Sequence, residues 1–290
     1  MGLAYINKAR TYRSTANYAA GLETAEKAYG IFTSLNWKPA MADALVEMAN
    51  NYERLGNYSK ALEHNFKALG IYEAEGLDAN IAWTYNNIGI DYYNTHDHDK
   101  AIENYNKALE LQKKLDDKLG IASALDNIAS VYEDEGDYKK VNEYNLQAIK
   151  MFEEINDEPA LGRIYNNRGN FLQQQKNFDS AFIYYKKAIA IAKKLGIKRT
   201  IAFGHGGIGD LCLALAKNGA QEYIVPNALK IERSMLLQKA YDYFSSSLKL
   251  SEEAEDLSLM MRFTESLSET DVFARQLQIC AKLLSAIGTV

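Results

Sequence analysis

The chain repeats itself every 40 residues. A short helix-breaking turn recurs along it: Gly56-Asn57-Tyr58, His96-Asp97-His98, Gly136-Asp137-Tyr138 and Lys176-Asn177-Phe178. A small or branched residue follows each turn at the same distance: Ala61, Ala101, Val141 and Ala181. A fixed period of this size indicates a stack of supersecondary units, each of which buries its apolar face against its neighbours.

Each period accommodates two amphipathic helices. The first carries apolar or small residues at i, i+3, i+4 and i+7, as in Tyr85, Ile88, Gly89 and Tyr92. The second carries a similar stripe: Ala101, Ile102, Tyr105, Ala108 and Leu109. We therefore predict five regular helix pairs, at about 2–36, 37–76, 77–116, 117–156 and 157–196, and a sixth that begins near Lys198.

The sixth period is interrupted. Ala240, rather than Gln221, continues the column of small residues, which indicates an insertion of 19 residues. We predict a regular array over 1–217, an insertion over 218–234, and irregular helices over 235–290 that complete or cap the stack. The last predicted helix has an apolar stripe at Phe273, Leu277, Cys280, Leu284 and Ile287.

Glycines occupy several helix positions. Gly89 and Gly169 belong to a column of small residues that predicts close helix packing, where a bulky side chain would overpack. The run 204–209 is rich in glycine but follows no strand and lies in helical register, so we predict no phosphate loop there. Because glycine weakens a helix, this run is expected to be a flexible point.

Composition excludes several function classes. The net charge is −5 and no basic block occurs, so nucleic acid is not an expected partner. The 2 cysteines suggest neither a disulfide framework nor a zinc site, and no apolar run reaches the length of a membrane span. The segment His96-Asp97-His98-Asp99 lies in a repeat turn, where Asp99 can cap the next helix. We predict no metal, no cofactor and no enzyme activity.

The repeat columns resemble the tetratricopeptide repeat (TPR). A small residue and a tyrosine, then a turn, an alanine and an aromatic residue follow in the family's order, strongly over 2–217. The period exceeds the usual one of about 34 residues and is similar to that of kinesin light chains, Pins-type adaptors, Rap-type regulators and bacterial sensor-kinase arrays. The resemblance implies an all-α, right-handed superhelical solenoid of antiparallel helix pairs, with about seven repeats. Its first helices would line a concave groove that holds an extended peptide or a partner's helix.

A helical wheel indicates the same face. Opposite the core stripe runs one column at the repeat period: Asn7, Glu47, Asn87, Asn127, Asn167 and Gly207. An asparagine amide offers both a donor and an acceptor, which match the N–H and C=O of a peptide backbone. We therefore predict that Asn87, Asn127 and Asn167 bind an extended chain. The alternative is that these amides bond across neighbouring helices and fix the repeat spacing.

Further binding residues are predicted on this face: Trp83, Ile90, Asn94, Asn50, Arg54, Ser123, Arg163 and Asn170. Trp83, Ile90 and Phe203 are candidate anchors, or they pack beneath a neighbouring helix. Arg54 and Arg163 could bind a ligand carboxylate, or they are solvated surface residues.

Two functions remain open at this stage. The first is a non-enzymatic scaffold that binds a protein or an extended peptide in the TPR groove. The second is a sensory or regulatory segment of a larger bacterial signalling protein, such as a histidine kinase, cyclase or transcription regulator, that acts through self-association as a homodimer. The abrupt start within a repeat at Gly2 motivates the second. A cytoplasmic location is expected, or a periplasmic one if a preceding segment carries a signal.

Overall fold

The computed structural model describes residues 1–218 and 226–287, with side chains up to residue 276. All regular structure in this part of the chain is helical, as the period predicts. The α-helices are α1 (Gly2–Ser14), α2 (Tyr18–Ser34), α3 (Lys38–Arg54), α4 (Tyr58–Glu75), α5 (Asp78–Asn94), α6 (His98–Lys114), α7 (Lys118–Asp134), α8 (Tyr138–Glu154), α9 (Glu158–Gln174), α10 (Phe178–Leu195), α11 (Lys198–Asn218), α12 (Arg233–Glu253) and α13 (Leu257–Ile287).

The helices form two compact units, Met1–Ile155 and Asn156–Val290. In each unit every helix packs against the next one along the chain. Short turns join the helices and make the pairs antiparallel, except between α11 and α12, where the longer segment 219–232 intervenes. First helices of neighbouring pairs also meet, as α1 with α3, α5 with α7, and α9 with α11. This is the nearest-neighbour stacking of a TPR-like solenoid, and it confirms the predicted fold class.

The turns explain why the helices end where they do. Along α1–α11, one residue with a left-handed backbone occurs every 20 residues: Ala16, Asn36, Gly56, Gly76, His96, Asp116, Gly136, Asn156, Lys176 and Gly196. After Gly56, for example, the amide of Asn57 donates to the Tyr52 carbonyl at 2.9 Å, which closes helix α3. The side chain of Asn57 then caps α4 by accepting from the amide of Lys60 at 3.2 Å.

The histidine turn follows this scheme, with one correction. Asp97, rather than Asp99, caps the following helix, because its Oδ1 accepts from the amide of Lys100 at 3.3 Å. His98 begins α6 in the position of the aromatic residue, and its ring stacks on Tyr93 with centroids 6.1 Å apart. The described residues contain no group of three or more His, Cys, Asp or Glu side chains able to hold a metal ion.

Aromatic rings of the second helices pack against the glycines of the small-residue column. A Cβ at Gly89 would lie 2.5 Å from Cε1 of Tyr105, on the second helix of the same pair. The same relation recurs at Gly169, where a Cβ would lie 2.6 Å from the Tyr185 ring. Both tyrosines are fully buried. Each tyrosine ring therefore occupies the space that a side chain at the glycine position would need.

The glycines of α11 also have a packing role. A Cβ would lie within 3 Å of Tyr185 at Gly207, of Phe263 at Gly206 and of Phe244 at Gly209. The helix runs unbroken from Lys198 to Asn218. The run 204–209 is therefore a packed helical face, and the sequence-based interpretation of these glycines as a weak point missed the rings that they receive.

The C-terminal part departs from the period. Pro226 precedes a single 3-10 turn, Asn227–Leu229, and α12 begins at Arg233, two residues before the predicted start. Ala240 is fully buried, in agreement with its assignment to the small-residue column. The rest of the insertion, residues 219–225, and the predicted stripe side chains from Leu277 onward lie outside the described residues. The three-part division at 217 and 234 stays a prediction.

Candidate functional site

In the first unit, residues of the first helices α1, α3 and α5, together with Tyr72 of α4, line a pocket of about 300 Å³. Three of the predicted binding residues, Asn50, Trp83 and Asn87, line it together. They come from α3 and α5, and each is half-buried. The other lining residues are Arg10, Arg13, Asp43, Val46, Glu47, Tyr72, Ala79, Asn80 and Thr84.

The acidic groups of this pocket already have partners. Glu47 is 2% exposed, and its carboxylate accepts from Nε of Arg13 at 2.8 Å and lies 3.5 Å from Nε of Arg10. Asp43 accepts a hydrogen bond of 2.6 Å from the Tyr72 hydroxyl. Burial, followed by this carboxylate, raises the pKa of Tyr72 above its usual value. The pocket therefore offers a ligand amide groups and an indole ring, while its two carboxylates are already bound by residues of the chain.

A smaller recess continues from the pocket along α5. It is lined by Ala49, Asn50, Glu53, Asn65, Asn87, Ile90 and Asp91. Asp91 is 1% exposed and accepts from Nδ2 of Asn65 at 2.8 Å. Burial raises the pKa of Asp91 to about 7, against the opposing effect of the Asn65 hydrogen bond. A carboxyl group that titrates near neutral pH thus lies beside two of the predicted amides.

Asn127 differs from the other amides of its column. Its Nδ2 donates to Oδ1 of Asn86 at 2.9 Å and so links α7 to α5. This is the contact that the alternative interpretation requires, in which amides set the distance between repeats. Ser123 and Asn94 are half-buried on α7 and α5, and Arg54 is exposed at the end of α3.

In the second unit, the faces of α9 and α11 form a pocket of about 440 Å³. It contains the predicted residues Arg163, Asn167 and Phe203, and its remaining lining residues are Pro159, Asn166, Ile197, Arg199 and Thr200. The Asn166 side chain joins the two helices by donating from Nδ2 to the Thr200 carbonyl at 2.9 Å. A separate recess of about 220 Å³ is lined by Asn170, Gln173, Gln174, Asp210 and Arg262.

Helical-wheel reasoning missed Arg10, Arg13 and the buried Asp91. Arg10 stands one period before Asn50, so extending the same column into the first repeat would have found it. Arg13 and Asp91 lie off the column, and no sequence pattern shows that Arg13 pairs with Glu47 or that Asp91 accepts from Asn65. Position 207 holds no amide because the Tyr185 ring fills the space beside its Cα.

Two further groups of the second unit, Cys212 and His205, have pKa values shifted by burial. Cys212 is fully buried, and burial raises the pKa of its thiol to about 12. Burial lowers the pKa of His205 to about 4, and its Nδ1 lies 2.9 Å from Oγ of Ser246. Neither group lines any of the pockets described above.

The comparisons with known proteins agree with this architecture. Residues 80–154 and 161–195 match tetratricopeptide repeat models. A comparison with curated proteins finds no match. No helix in the described residues is long and apolar enough to cross a membrane.

Several solved structures are similar in fold. The apo form of RapI has 16% identity and a TM-score of 0.64 over 95% of this chain and 99% of its own. A Rap protein complexed with Competence and Sporulation Factor has 18% identity and a TM-score of 0.66, over 94% and 75%. The TPR-like repeats of a putative kinesin light chain from Podosopora anserina have 16% identity and a TM-score of 0.53, over 67% and 95%. The chain thus contains tetratricopeptide repeats over residues 80–154 and 161–195, and its fold resembles the Rap and kinesin light chain arrays.

Proposed function

We propose that this chain is a non-catalytic scaffold that binds an extended peptide or a segment of a partner protein on the faces of its first helices. The observation that carries the proposal is the pocket of the first unit, where Asn50, Trp83 and Asn87 converge from two helices. An indole ring beside amide groups suits a peptide, because the ring can anchor a side chain while the amides pair with the backbone.

The binding residues need not act alike. Asn50 and Asn87 line the same pocket, and we assign them to the ligand backbone. We assign Asn127 to a bridging role through its bond to Asn86, which positions the helices that carry the binding face. In the second unit, Asn167 and Phe203 repeat the combination of amide and aromatic ring.

A display library of random heptapeptides tests the proposal. Peptides selected on the full chain should bind it, and Trp83→Ala should weaken them by about tenfold or more, the size of effect found for aromatic hot spots. The double change Asn50→Ala and Asn87→Ala should weaken them further, as measured by calorimetry. The matched control is Asn106→Ala, which removes an exposed amide from a second helix. Selected peptides that bind all of these variants with equal affinity would refute the proposal.

One similar structure supports the choice of ligand class. A Rap protein of this fold is complexed with Competence and Sporulation Factor, so an array of this kind can hold a second molecule. At 18% identity the likeness extends to the fold.

The second candidate is a regulatory segment of a larger bacterial signalling protein. It gains support from the likeness in fold to aspartyl phosphate phosphatase F from Bacillus subtilis, with 15% identity and a TM-score of 0.65 over 92% of this chain and 69% of that one. Under this proposal the array acts through self-association. Light scattering across a range of protein concentrations decides the point, since a purely monomeric chain would contradict it. The cytoplasmic location stays a prediction.

A further inference from the structure

The small recess along α5 lies where other repeats bury a tyrosine ring. Tyr105 fills the space beside Gly89 in one repeat. One period earlier, Asn65 stands in place of Tyr105, and Ala49 stands in place of Gly89. Both Asn65 and Ala49 line the recess. A short amide side chain thus takes the position of a large ring and leaves a polar space between the helices.

The recess admits a single small species. Its volume is about 10 Å³, which is close to the space that one water molecule needs. Its polar lining comes from three helices: Asn50 and Glu53 from α3, Asn65 from α4, and Asn87 and Asp91 from α5. A peptide side chain is too large for this volume, whereas one water or one ion fits it.

Two of the polar residues are almost completely buried. Asp91 is 1% exposed and Asn65 is 2% exposed. Nδ2 of Asn65 donates to Oδ2 of Asp91 at 2.8 Å, while Oδ1 of Asn65 is buried and has no hydrogen-bond partner in the described structure. A buried acceptor without a partner is unfavourable, so this oxygen calls for a donor or a cation.

The charge of the recess favours a cation. Glu53, which is half-buried, adds a second carboxylate to that of Asp91. In the described part of the chain no lysine or arginine pairs with either carboxylate, whereas Glu47 of the adjoining pocket has two arginine partners. A water molecule or a proton would supply a donor to Asn65 but would leave Glu53 uncompensated. A cation satisfies all three groups at once.

We propose that this recess binds one Ca²⁺ ion between α3, α4 and α5. The carboxylates of Glu53 and Asp91 and Oδ1 of Asn65 are its ligands, and the amide oxygens of Asn50 and Asn87 complete the shell. Ca²⁺ takes carboxylate and amide oxygens at about 2.3–2.6 Å, which is shorter than a hydrogen bond, so the ion fits where a water would. Mg²⁺ retains several waters, for which the recess has no room.

The sequence prediction of no metal considered the cysteines and the histidine turn. This site has two acidic side chains, and amide oxygens supply the other ligands, so it forms no cluster of three His, Cys, Asp or Glu residues, a grouping that the described residues lack. The proposal goes beyond peptide binding, because the ion would join helices of two neighbouring repeats whether or not a peptide is bound.

Calorimetry on the full chain tests the proposal, with CaCl₂ as the probe after treatment with EGTA. One Ca²⁺ should bind per chain with a Kd of about 0.1–1 mM, at the weak end of protein sites because only two ligands are charged. Mg²⁺ should bind at least about tenfold more weakly. Glu53→Gln keeps the length of the side chain and removes its charge, and it should weaken Ca²⁺ binding by about tenfold or more.

Asp91→Asn is the second variant and should abolish binding up to about 10 mM CaCl₂. Because Glu53 is only half-buried, Glu53→Gln should fold even if Asp91→Asn does not. The matched control is Glu63→Gln, which removes an exposed carboxylate of α4 that pairs with Lys67 and does not line the recess. It should bind Ca²⁺ as the wild type does.

Four results would each overturn the proposal: no binding up to about 10 mM CaCl₂, several equivalent weak sites, equal affinity for Mg²⁺, or unchanged binding by Glu53→Gln. The display peptides can be tested in EGTA. Their dependence on Trp83 would then still support the proposed function if the ion site failed, and loss of peptide binding would leave the calcium measurement unaffected.

Discussion

Asp91 illustrates how a single residue links the fold to the chemistry of the binding face. Its carboxyl group is buried in the recess beside Asn50 and Asn87, and burial raises its pKa to about 7. Nearby Glu53 adds to this effect, and the Asn65 hydrogen bond opposes it. Oδ1 of Asn65 is itself buried without a hydrogen-bond partner in the described structure, so a protonated Asp91 would add a second donor to a pair in which only Nδ2 of Asn65 donates.

The stability of the chain should therefore depend on pH through Asp91. The native pKa lies above the unfolded one, so between about pH 4 and pH 7 the folded state holds a proton that the unfolded state has lost. Stability from this group is present at the lower pH and is lost as the pH rises through about 7. From pH 5 to pH 8, urea unfolding of the wild type should lose on the order of 3 kcal/mol relative to Asp91→Asn.

The control for this prediction is Asp99→Asn, which changes an exposed aspartate on the next helix. Its unfolding free energy should follow the wild type at both pH values. If Asp91→Asn also parallels the wild type from pH 5 to pH 8, the carboxyl group does not titrate in this interval and the assigned burial effect is wrong.

Which side of a helix a residue occupies was predictable, but its partner was not. The wheel predicted that Asn50, Trp83 and Asn87 share a face, and all three line one pocket. It could not indicate that Asn127 donates to Asn86, because that bond depends on the distance between α5 and α7. Side-chain partners across helices follow from packing, which a single helical period does not encode.

Within an element pair, the glycine of the first helix and the tyrosine of the second form one packing unit. Gly89 should not tolerate even alanine, because its Cβ would lie 2.5 Å from the buried Tyr105 ring. Gly89→Ala gains about 1 kcal/mol of helix propensity, but overpacking costs about 1–3 kcal/mol. We expect a net loss of stability in urea unfolding.

Gly70 provides a matched control for the same substitution. It lies in α4, is exposed, and has no atom within 4 Å of the position that a Cβ would take. Gly70→Ala should therefore raise the unfolding free energy by up to about 1 kcal/mol. Equal effects of the two substitutions would show that the Tyr105 ring moves aside freely.

The helices themselves were predictable because period, turn chemistry and small-residue columns all indicate the same boundaries. The turn geometry was only partly predictable. Glycine at positions 56 and 136 signals a left-handed residue, whereas His96 and Lys176 adopt that conformation without such a signal. There the following caps, Asp97 and Asn177, and the neighbouring turns determine the backbone. At His96 and Lys176 the repeat array imposes a left-handed backbone conformation that these residue types do not favour on their own.

On the scale of the whole molecule, the chain divides into two compact units. Each unit contains a pocket, and the two pockets lie at equivalent positions of the repeat. Stability in repeat arrays is a sum of local terms, so a ligand acts first on the helices that it touches. The period predicts equivalent positions in both units, and the charge of each pocket then depends on which residues fill them. This division allows binding at one pocket to be measured separately from the other.

Hydrogen exchange should show this locality. At about ten times its dissociation constant, a library peptide whose binding depends on Trp83 should stabilise the helices that bind it by about 1.4 kcal/mol. The protection should appear as slower amide exchange in α3, α4 and α5, which pack in sequence within unit 1, and not in α12 and α13 of unit 2. Trp83→Ala should abolish it, and Asn106→Ala should leave it intact. Equal slowing in α12 and α13 would mean that the array opens as one cooperative body, which contradicts local stabilisation by the ligand.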